Sequence, residues 1–367
     1  MKTPVFVLFG PTASGKTALL ERLFGPGGIF CASGGGAGKR AEVISADSMQ
    51  VYRGMDIGTA KPSPEERARI PYHLIDIRNP DEQFNAGEFV RLAEAACLAA
   101  AGRGALPVVS GGTGFYLKNL VLGLPEAPPS DQGIRLALRE ELACRGAASL
   151  MEELARSDPV SAGRIHINDE YRLLRALEVY RLTGRPLSSY ASPWSAKVSK
   201  EPLTELTEDT EENAGIAKSK CAQNSVYPAS ANQRFDVRGN FVFLLVGLRR
   251  SREELYRRIN ARTAAMFRAG LPGEVKRLFE AGYTPSDPGL KAIGYREFFV
   301  QNGAYLRSFG HLSEDIAGVE ALVAQNSRRY AKRQLTFFAS LPGVKWIDCG
   351  NDEETALELT RLLEEFL

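Results

Sequence analysis

The sequence predicts an α/β fold in which a parallel sheet is flanked by helices. Three observations predict it: short apolar runs typical of buried strands, helical patterns between those runs, and a phosphate-loop motif directly after the first run. Fully apolar strands separated by helices are typical of parallel sheets covered on both faces. The five runs are Val5–Phe9, Glu42–Ser45, Tyr72–Asp76, Leu106–Ser110 and Phe241–Gly247.

The phosphate loop is the motif that follows the first strand. It fits G-x-x-x-x-G-K-[ST] at every fixed position, and the helical run Ala18–Leu23 comes next. Backbone N–H groups of such a loop surround phosphate oxygens, Lys16 adds a positive charge, and Thr17 can hold Mg²⁺. The N-terminus of the following helix favours the same anion. The predicted diphosphate-binding residues are Gly10, Pro11, Thr12, Ala13, Ser14, Gly15, Lys16 and Thr17.

Composition limits the classes of protein. The 367 residues are 44% hydrophobic and 25% charged, which is ordinary for a globular chain. No apolar run reaches the roughly 18 residues that cross a bilayer, so no membrane partner is expected. The five cysteines form no C-x-x-C pair and there are only three histidines, which favours reduced thiols in the cytoplasm over disulfides or zinc.

The charge is unevenly distributed. The net charge is only +2, yet residues 241–340 hold 16 Lys and Arg against 9 Asp and Glu. A basic segment in a phosphate-loop protein is compatible with a nucleic-acid partner, because neutralising phosphates drives such binding. A solvated basic surface explains the charge equally well.

These patterns divide the chain into four parts. Residues 1–125 form the first part of a phosphate-loop catalytic core, and residues 126–187 form a helical insertion. Residues 188–240 are polar and nearly aperiodic, which predicts a mobile insertion, with a small helical hairpin as the alternative. Residues 241–367 supply the last core strand and a basic helical C-terminal part.

Helices are predicted by apolar periodicity and by capping signals. Asn168 and Asp169 can cap a helix whose apolar side is Leu173, Leu177 and Tyr180. The glycine-rich stretch Gly25–Gly38 is predicted to be a flexible loop. Other helices are predicted at Ala86–Ala101, between Asp131 and Gly184, from Ser251 to Gly270, at Pro272–Gly282 and near Ala317–Phe338.

Two further turns should meet the phosphate loop, because ligands bind outside the carboxyl ends of parallel strands. One turn carries Asp47 and the other carries Thr113 after Gly111-Gly112. A carboxylate at Asp47 can bind Mg²⁺ through water, cap a helix, or take a proton from a nucleophile. Thr113 can hydrogen-bond a ligand, or the two glycines can simply make a tight turn.

Two groups of arginines are candidate anion contacts. Arg258 and Arg262 are four residues apart on one helix face and can clamp a diphosphate, although a single surface arginine is more often only solvated. Residues Arg328–Gln334 hold four cations and one tyrosine. That mixture suits RNA, where cations meet phosphates and aromatic rings stack on bases, while a basic helix end is the alternative.

Seven segments in this order resemble the bacterial tRNA dimethylallyltransferase (tRNA isopentenyltransferase) family. They cover nearly the whole chain apart from Gly25–Gly38 and Ser188–Asn240. The segments are Gly10–Thr17, Ser45–Tyr52, Gly54–Pro62, Gly111–Tyr116, Arg172–Glu178, Ala292–Arg296 and Tyr330–Thr336.

The resemblance implies a P-loop NTPase-like sheet with a helical tRNA-binding insertion. It also implies transfer of a dimethylallyl group from dimethylallyl diphosphate to N6 of the adenine on the 3′ side of the tRNA anticodon, with release of diphosphate. The phosphate loop would hold the diphosphate, with Mg²⁺ at Thr17. Asp47 would accept the proton of the amine, and Thr113 would fix the adenine or the bridging oxygen. The catalytic set implied is Asp47, Thr113, Lys16, Thr17, Arg258 and Arg262.

The resemblance also implies tRNA contacts. A monomer is expected, although the sequence itself carries no signal of the oligomeric state. Tyr171 stands where the family commonly has Gln, and Phe337 stands where it usually has Trp. The tRNA-binding residues implied are Asp47, Ser48, Met49, Gln50, Thr113, Arg135, Tyr171, Arg172, Leu173, Leu174, Arg175, Lys291, Ala292, Ile293, Gly294, Tyr295 and Arg296.

Three other functions share some of these features. A kinase or ATPase is the commonest use of a phosphate loop, but no nucleoside-binding signature or arginine-rich lid accompanies it here. An adenylate isopentenyltransferase would run the same chemistry on a free nucleotide, whereas the basic segment favours RNA. An RNA-binding module with an inactive phosphate loop is the third.

Overall fold

The computed structural model describes residues 2–32, 40–190, 235–237, 240–299 and 311–367. These residues fall into two compact units. The smaller unit begins at Leu122 and its described residues end at Tyr190, and the larger unit holds the rest.

The larger unit is built on a mostly parallel sheet, as the sequence predicts. Within the described residues the strand order is β3-β2-β4-β1-β6-β5, and β7 also pairs with β6. All pairings are parallel except that of β5 with β6. The strands are β1 (Thr3–Phe9), β2 (Ala41–Ser45), β3 (Tyr72–His73), β4 (Leu106–Gly111), β5 (Phe235–Val237), β6 (Phe241–Arg249) and β7 (Lys345–Asp348).

The sheet brings four strand ends to one edge. Because β2, β4, β1 and β6 are parallel neighbours, the turns after Ser45, Gly111, Phe9 and Arg249 all leave the same edge. This is the edge where ligands bind in open α/β sheets.

Helices cover both faces of the sheet. Phe6 and Leu8 pack with α1 and α12 in one core cluster, and the Phe9 ring lies 4.9 Å from that of Phe338 in α11. The helices are α1 (Lys16–Phe24), α2 (Ile29–Ala32), α3 (Pro64–Arg69), α4 (Ala86–Gly102), α5 (Gly114–Leu122), α6 (Gln132–Ser157), α7 (Pro159–Ala162), α8 (Glu170–Thr183), α9 (Arg252–Arg268), α10 (Leu271–Glu280), α11 (Ile316–Phe338) and α12 (Asp352–Phe366). No helix among the described residues is both long and apolar enough to cross a membrane.

The smaller unit is helical, as predicted between Asp131 and Gly184. Helices α6 and α8 share an apolar core that includes Leu138, Leu154, Leu173 and Leu177. The predicted cap is present, since the Asp169 side chain accepts a hydrogen bond from the backbone N–H of Arg172.

The structure corrects the sequence prediction in several places. The third strand ends at His73 and not at Asp76, because Leu74 and Asp76 adopt left-handed backbone conformations with φ of 63° and 57°. The glycine-rich stretch is not a loop throughout, since Ile29–Ala32 is helical and Phe30 is buried against Phe24. The rest of it, residues 33–39, lies outside the described residues.

The C-terminal region and the polar insertion also differ from the prediction. Strand β7 was not predicted, because four residues with only Trp346 and Ile347 apolar give too weak a strand pattern, and β6 is therefore not the last core strand. Helix α12 lies in the C-terminal part that was predicted to be helical, although its bounds were not predicted. In the polar insertion, β5 pairs with β6, and residues 187–189 form a 3-10 turn. Residues 191–234 and 238–239 lie outside the described residues, and the prediction of a mobile insertion there stays a prediction.

Candidate active site

The phosphate loop forms a closed turn between β1 and α1. Ala13 and Gly15 have left-handed backbones with φ of 63° and 102°, which lets the chain curl back on itself. The Lys16 ammonium donates hydrogen bonds to the carbonyls of Gly10 and Pro11 at 2.9 and 3.0 Å. Lys16 is therefore folded over the loop, where it can meet an anion held by the backbone.

Three arginines contact the loop from the C-terminal half of the chain. Arg250 donates to the Ser14 carbonyl and Arg258 to the Ala13 carbonyl, both from Nε at 2.9 Å. Arg262 donates from Nη1 to Thr12 Oγ1 at 3.1 Å. The predicted pair Arg258 and Arg262 thus lies at the loop together, and both residues line the cleft beside it.

Arg250 was not singled out in the sequence, although it directly follows strand β6. Its Nη2 also pairs with Asp352 at 2.7 Å, and its Nη1 donates to the Cys349 carbonyl. It therefore braces the loop against the start of α12. Its position just after the end of β6 was the available signal, because β6 lies beside β1.

The turn after β2 holds Asp47 next to Thr113. Asp47 Oδ1 accepts hydrogen bonds from the backbone N–H groups of Met49 and Gln50 at 2.9 and 3.4 Å. Among the described residues, no hydrogen bond engages Oδ2. The Thr113 hydroxyl accepts from the Ser48 N–H at 3.0 Å. One carboxylate oxygen therefore caps the turn, which leaves the other for chemistry.

Gly111 allows this close meeting of two turns. A Cβ on Gly111 would collide with the backbone of Ala46, whose carbonyl accepts a hydrogen bond from the Thr113 N–H at 3.1 Å. The double glycine therefore makes a tight turn and also places Thr113 beside Asp47. The tight turn is therefore confirmed, and a hydrogen bond from Thr113 to a ligand stays a prediction.

Helix α11 adds Tyr330 and Gln334, two residues of the run for which the sequence left an RNA contact and a basic helix end open. Gln334 accepts from the Thr12 N–H at 2.9 Å and donates from Nε2 to the Gly112 carbonyl at 2.7 Å, so it joins two of the loops. Tyr330 lies near Thr113, and burial together with the negative charge of Asp47 raises the pKa of its phenol to about 12. Tyr330 and Gln334, two uncharged polar residues of the basic run, therefore face the site.

The loops enclose two connected spaces. The main cleft has a volume of about 1010 Å³ and is lined by the phosphate loop, Asp47, Gly112, Arg258 and Gln334 among others. The second cavity, of about 280 Å³, is lined by Ser48, Met49, Lys291, Ile293 and Arg296 among others. Six residues line both spaces: Thr12, Asp47, Thr59, Arg262, Met266 and Tyr330.

The charges in the site are coupled. Burial and the nearby Arg262 guanidinium lower the pKa of Lys16 to about 8, while Asp47 acts in the opposite direction. The positive charges of Lys16 and Arg262 repel each other, and a bound anion would relieve that repulsion.

Some of the predicted tRNA-contacting residues of the larger unit are exposed to solvent, and others are buried. Lys291 and Arg296 are exposed at the rim of the second cavity. Ala292, Gly294 and Tyr295 are buried, so RNA could be met only by their backbone or their neighbours.

The predicted contacts of the smaller unit form a surface patch. Tyr171 is 70% exposed, and the Arg135 guanidinium lies over its ring at 4.6 Å. Arg135 is held by an ion pair with the buried Glu178 at 3.0 Å, and Glu178 also pairs with Arg175 at 3.1 Å. Arg172 is exposed, whereas Leu173 and Leu174 pack in the helical core.

The site also offers a place for a metal ion. Among the described residues there is no group of three or more His, Cys, Asp or Glu side chains that would form a metal cage. Mg²⁺ does not need one, because it is commonly bound by one or two protein oxygens, phosphate oxygens and water. The exposed Thr17 hydroxyl lines the main cleft with Asp47, and this donor set fits such an ion.

Comparison with known proteins identifies the family of the chain. Residues 50–341 match the family model described as IPP transferase. The chain is 41% identical to the tRNA dimethylallyltransferase of Geobacter sulfurreducens over 95% of this chain and 92% of the relative. It is 40% identical to that of Geobacillus kaustophilus over 99% and 96%.

A solved structure agrees with this sequence similarity. The full-length tRNA isopentenylpyrophosphate transferase of Bacillus halodurans is 30% identical, with a TM-score of 0.58, over 100% of this chain and 97% of that one. This confirms the P-loop NTPase-like fold class. The chain belongs to the IPP transferase family of tRNA dimethylallyltransferases.

Proposed function

We propose that this enzyme transfers the dimethylallyl group of dimethylallyl diphosphate to N6 of the adenine on the 3′ side of the anticodon in tRNA, and releases diphosphate. The observation that supports it best is the position of Asp47 at the junction of the main cleft and the second cavity. Lys16, Arg258 and Arg262 line the main-cleft side of that junction. Asp47 keeps one carboxylate oxygen, Oδ2, that can accept a proton.

The phosphate loop binds the diphosphate leaving group, and this part of the site is called the diphosphate end. As the bond between the allylic carbon and oxygen stretches, negative charge grows on the diphosphate. The loop N–H groups, Lys16, Arg258 and Arg262 can stabilise that charge. Mg²⁺ held by Thr17 and the diphosphate oxygens would supply further positive charge.

Asp47 and its neighbours bind the adenine that accepts the prenyl group, and this part of the site is called the acceptor end. The N6 nitrogen attacks the allylic carbon, one carbon–nitrogen bond forms, the carbon–oxygen bond breaks, and an amine proton passes to Asp47. Oδ1 is already engaged by Met49 and Gln50, so Oδ2 is the oxygen for this proton. Thr113 and the neutral Tyr330 phenol can orient the adenine, because both lie beside Asp47.

The tRNA contacts are proposed for two exposed groups. Lys291 and Arg296 at the rim of the second cavity can meet the phosphates that flank the target adenine. In the smaller unit, Tyr171 and Arg172 offer a ring for stacking and a cation. The adenine must leave its stack to reach Asp47, as in base-flipping enzymes generally. Such a substrate implies action in the cytoplasm.

Mass spectrometry of the RNA tests this proposal. The protein is incubated with Mg²⁺, dimethylallyl diphosphate and unmodified tRNA, and we expect one C5 prenyl unit on the anticodon loop. A gain on free AMP but not on tRNA would instead indicate an adenylate isopentenyltransferase. ATP turnover without prenylation of either acceptor would indicate a kinase or ATPase and contradict the proposal.

A further inference from the structure

Glu274 of α10 is a buried carboxylate outside the phosphate loop and the Asp47 turn. Its side chain is only 2% exposed, and it accepts hydrogen bonds from three consecutive backbone N–H groups. Asp56 and Ile57 donate at 3.0 and 2.9 Å, and Gly58 donates at 3.2 Å. The Tyr295 hydroxyl adds a fourth hydrogen bond at 2.7 Å.

This carboxylate is stabilised by hydrogen bonds. No described ion pair provides a cation for Glu274, so the four donors offset its burial. Burying a charge is unfavourable unless it is fully hydrogen-bonded, and an apolar residue of similar size often stabilises a core better. A carboxylate at this place therefore points to a positioning role for the segment that it binds.

Tyr295 extends the same contact to a third segment. A Cβ on Gly58 would lie 2.5 Å from the Tyr295 ring, so the ring rests directly on the Gly58 backbone. Glu274 and Tyr295 therefore hold residues 56–58, helix α10 and the turn 292–296 together.

These segments form the walls of the second cavity. Gly58 and Thr59 line it from one side, and Lys291, Ile293 and Arg296 line it from the other. The same segment also reaches the main cleft, which Asp56, Ile57, Thr59 and Ala60 line. The position of Glu274 behind both walls means that it fixes their separation.

A path of contacts also leads from this segment to Asp47. The carbonyls of Thr59 and Ala60 accept hydrogen bonds from Gln50 Nε2 at 3.5 and 3.3 Å. The Gln50 backbone N–H in turn donates to Asp47 Oδ1 at 3.4 Å. Among the described contacts, Glu274 makes none with the phosphate loop.

We propose that Glu274, with Tyr295, is the positioning residue of the second cavity. It holds residues 56–60 against the turn 291–296 and so sets how an acceptor base sits beside Asp47, without affecting how the phosphate loop holds diphosphate. This inference rests on the proposed transfer to an RNA adenine.

Two substitutions test it. Glu274→Gln keeps one acceptor oxygen but turns an NH₂ group toward backbone donors, and Tyr295→Phe removes only the hydroxyl. Matched controls are Glu280→Gln on the exposed side of α10 and Tyr283→Phe after its end. The kcat for prenyl transfer to tRNA is measured at saturating substrates, inorganic diphosphate affinity is measured by calorimetry, and folding is checked by thermal melting.

We expect Glu274→Gln to lower kcat by about 10- to 100-fold, since small misplacements of reacting groups have effects of that size. Tyr295→Phe should lower it about threefold, as for one hydrogen bond. The diphosphate affinity of both should stay within about twofold of wild type, since neither residue contacts the phosphate loop. The controls should match wild type in every measurement.

Two results would overturn the inference while the proposed function stands. One is an unchanged kcat in the variants, and the other is a loss of diphosphate affinity in parallel with kcat. If Glu274→Gln does not fold, Tyr295→Phe alone decides, and an unchanged kcat there overturns the inference. A wild-type protein that prenylates no RNA would overturn the proposed function, and this inference with it.

Discussion

The diphosphate end and the acceptor end of the site differ in how the chain builds them. The phosphate loop is eight consecutive residues whose turn is made by local backbone geometry, and distant arginines add contacts to a loop that the sequence already specifies. The second cavity is held by contacts such as that of Gly58 with Glu274, which are 216 positions apart. The comparison teaches that one end can be recognised as a motif, while the other exists only after the chain has folded.

Asp47 is where the two ends meet, so its substitution should have the largest effect. Asp47→Asn keeps an oxygen to cap the Met49 and Gln50 N–H groups but cannot accept the amine proton. We expect the transfer rate to fall about 10²- to 10⁴-fold, with little change in RNA affinity. Single-turnover kinetics and RNA titration measure the two quantities.

The exposed Asp81 provides the matched control for Asp47, as Asp81→Asn. That variant should transfer at the wild-type rate. Normal turnover by Asp47→Asn would show that Asp47 is not the base and that the two ends do not meet there.

Lys16→Gln should be nearly as damaging, but through the diphosphate end. It removes a cation that stabilises the leaving group, and the loss of one such group costs about 10²- to 10³-fold in rate. Diphosphate affinity should fall with it, as calorimetry can measure. Lys276→Gln, on the exposed surface of α10, should behave as wild type, and equal effects of the two substitutions would remove Lys16 from the proposed machinery.

The sequence predicted the diphosphate end of the site better than it predicted the acceptor end. Strands β1, β2, β4 and β6, the phosphate loop and the meeting of the Asp47 and Thr113 turns could be predicted, because apolar runs and strand-end rules are local signals. Gln334 lies in a basic run that suggests RNA or a basic helix end, and only helix packing brings it between Thr12 and Gly112. Glu274 has no local signal at all, since a glutamate in a helix is ordinarily solvated.

The pH dependence of diphosphate binding should give a smaller effect. The pKa of Lys16 is lowered from 10.5 to about 8 in the free protein, so its charge is lost as the pH rises through that value. Affinity should be constant below that pH and fall by up to about tenfold per pH unit above it. In the same range, the unfolded chain still binds the proton, so this group makes folding more favourable as the pH rises.

Calorimetry between pH 7 and pH 10 checks this prediction. Lys16→Arg is the matched variant, because a guanidinium keeps its charge throughout. Its affinity should change less with pH than that of wild type. An identical slope in the two proteins would mean that another group titrates.

Tyr171 should give the smallest effect, because it lies in the smaller unit and only its exposed ring is proposed to meet RNA. Loss of one stacking contact costs about 1 kcal/mol or more, so Tyr171→Ala should weaken RNA binding about fivefold. Tyr171→Phe keeps the ring under Arg135 and should bind as wild type. Filter binding at constant salt measures both, and equal affinities for Ala and Phe would exclude stacking at this residue.

The separation of the two ends is tested most directly by the diphosphate dissociation constants of Lys16→Gln and Glu274→Gln, measured side by side in proteins whose transfer rates are both reduced. The account predicts a dissociation constant at least about tenfold higher for Lys16→Gln, as expected for loss of a charge-assisted contact, and one within about twofold of wild type for Glu274→Gln. Equal weakening in both variants would contradict it, because the acceptor end would then be part of the diphosphate site.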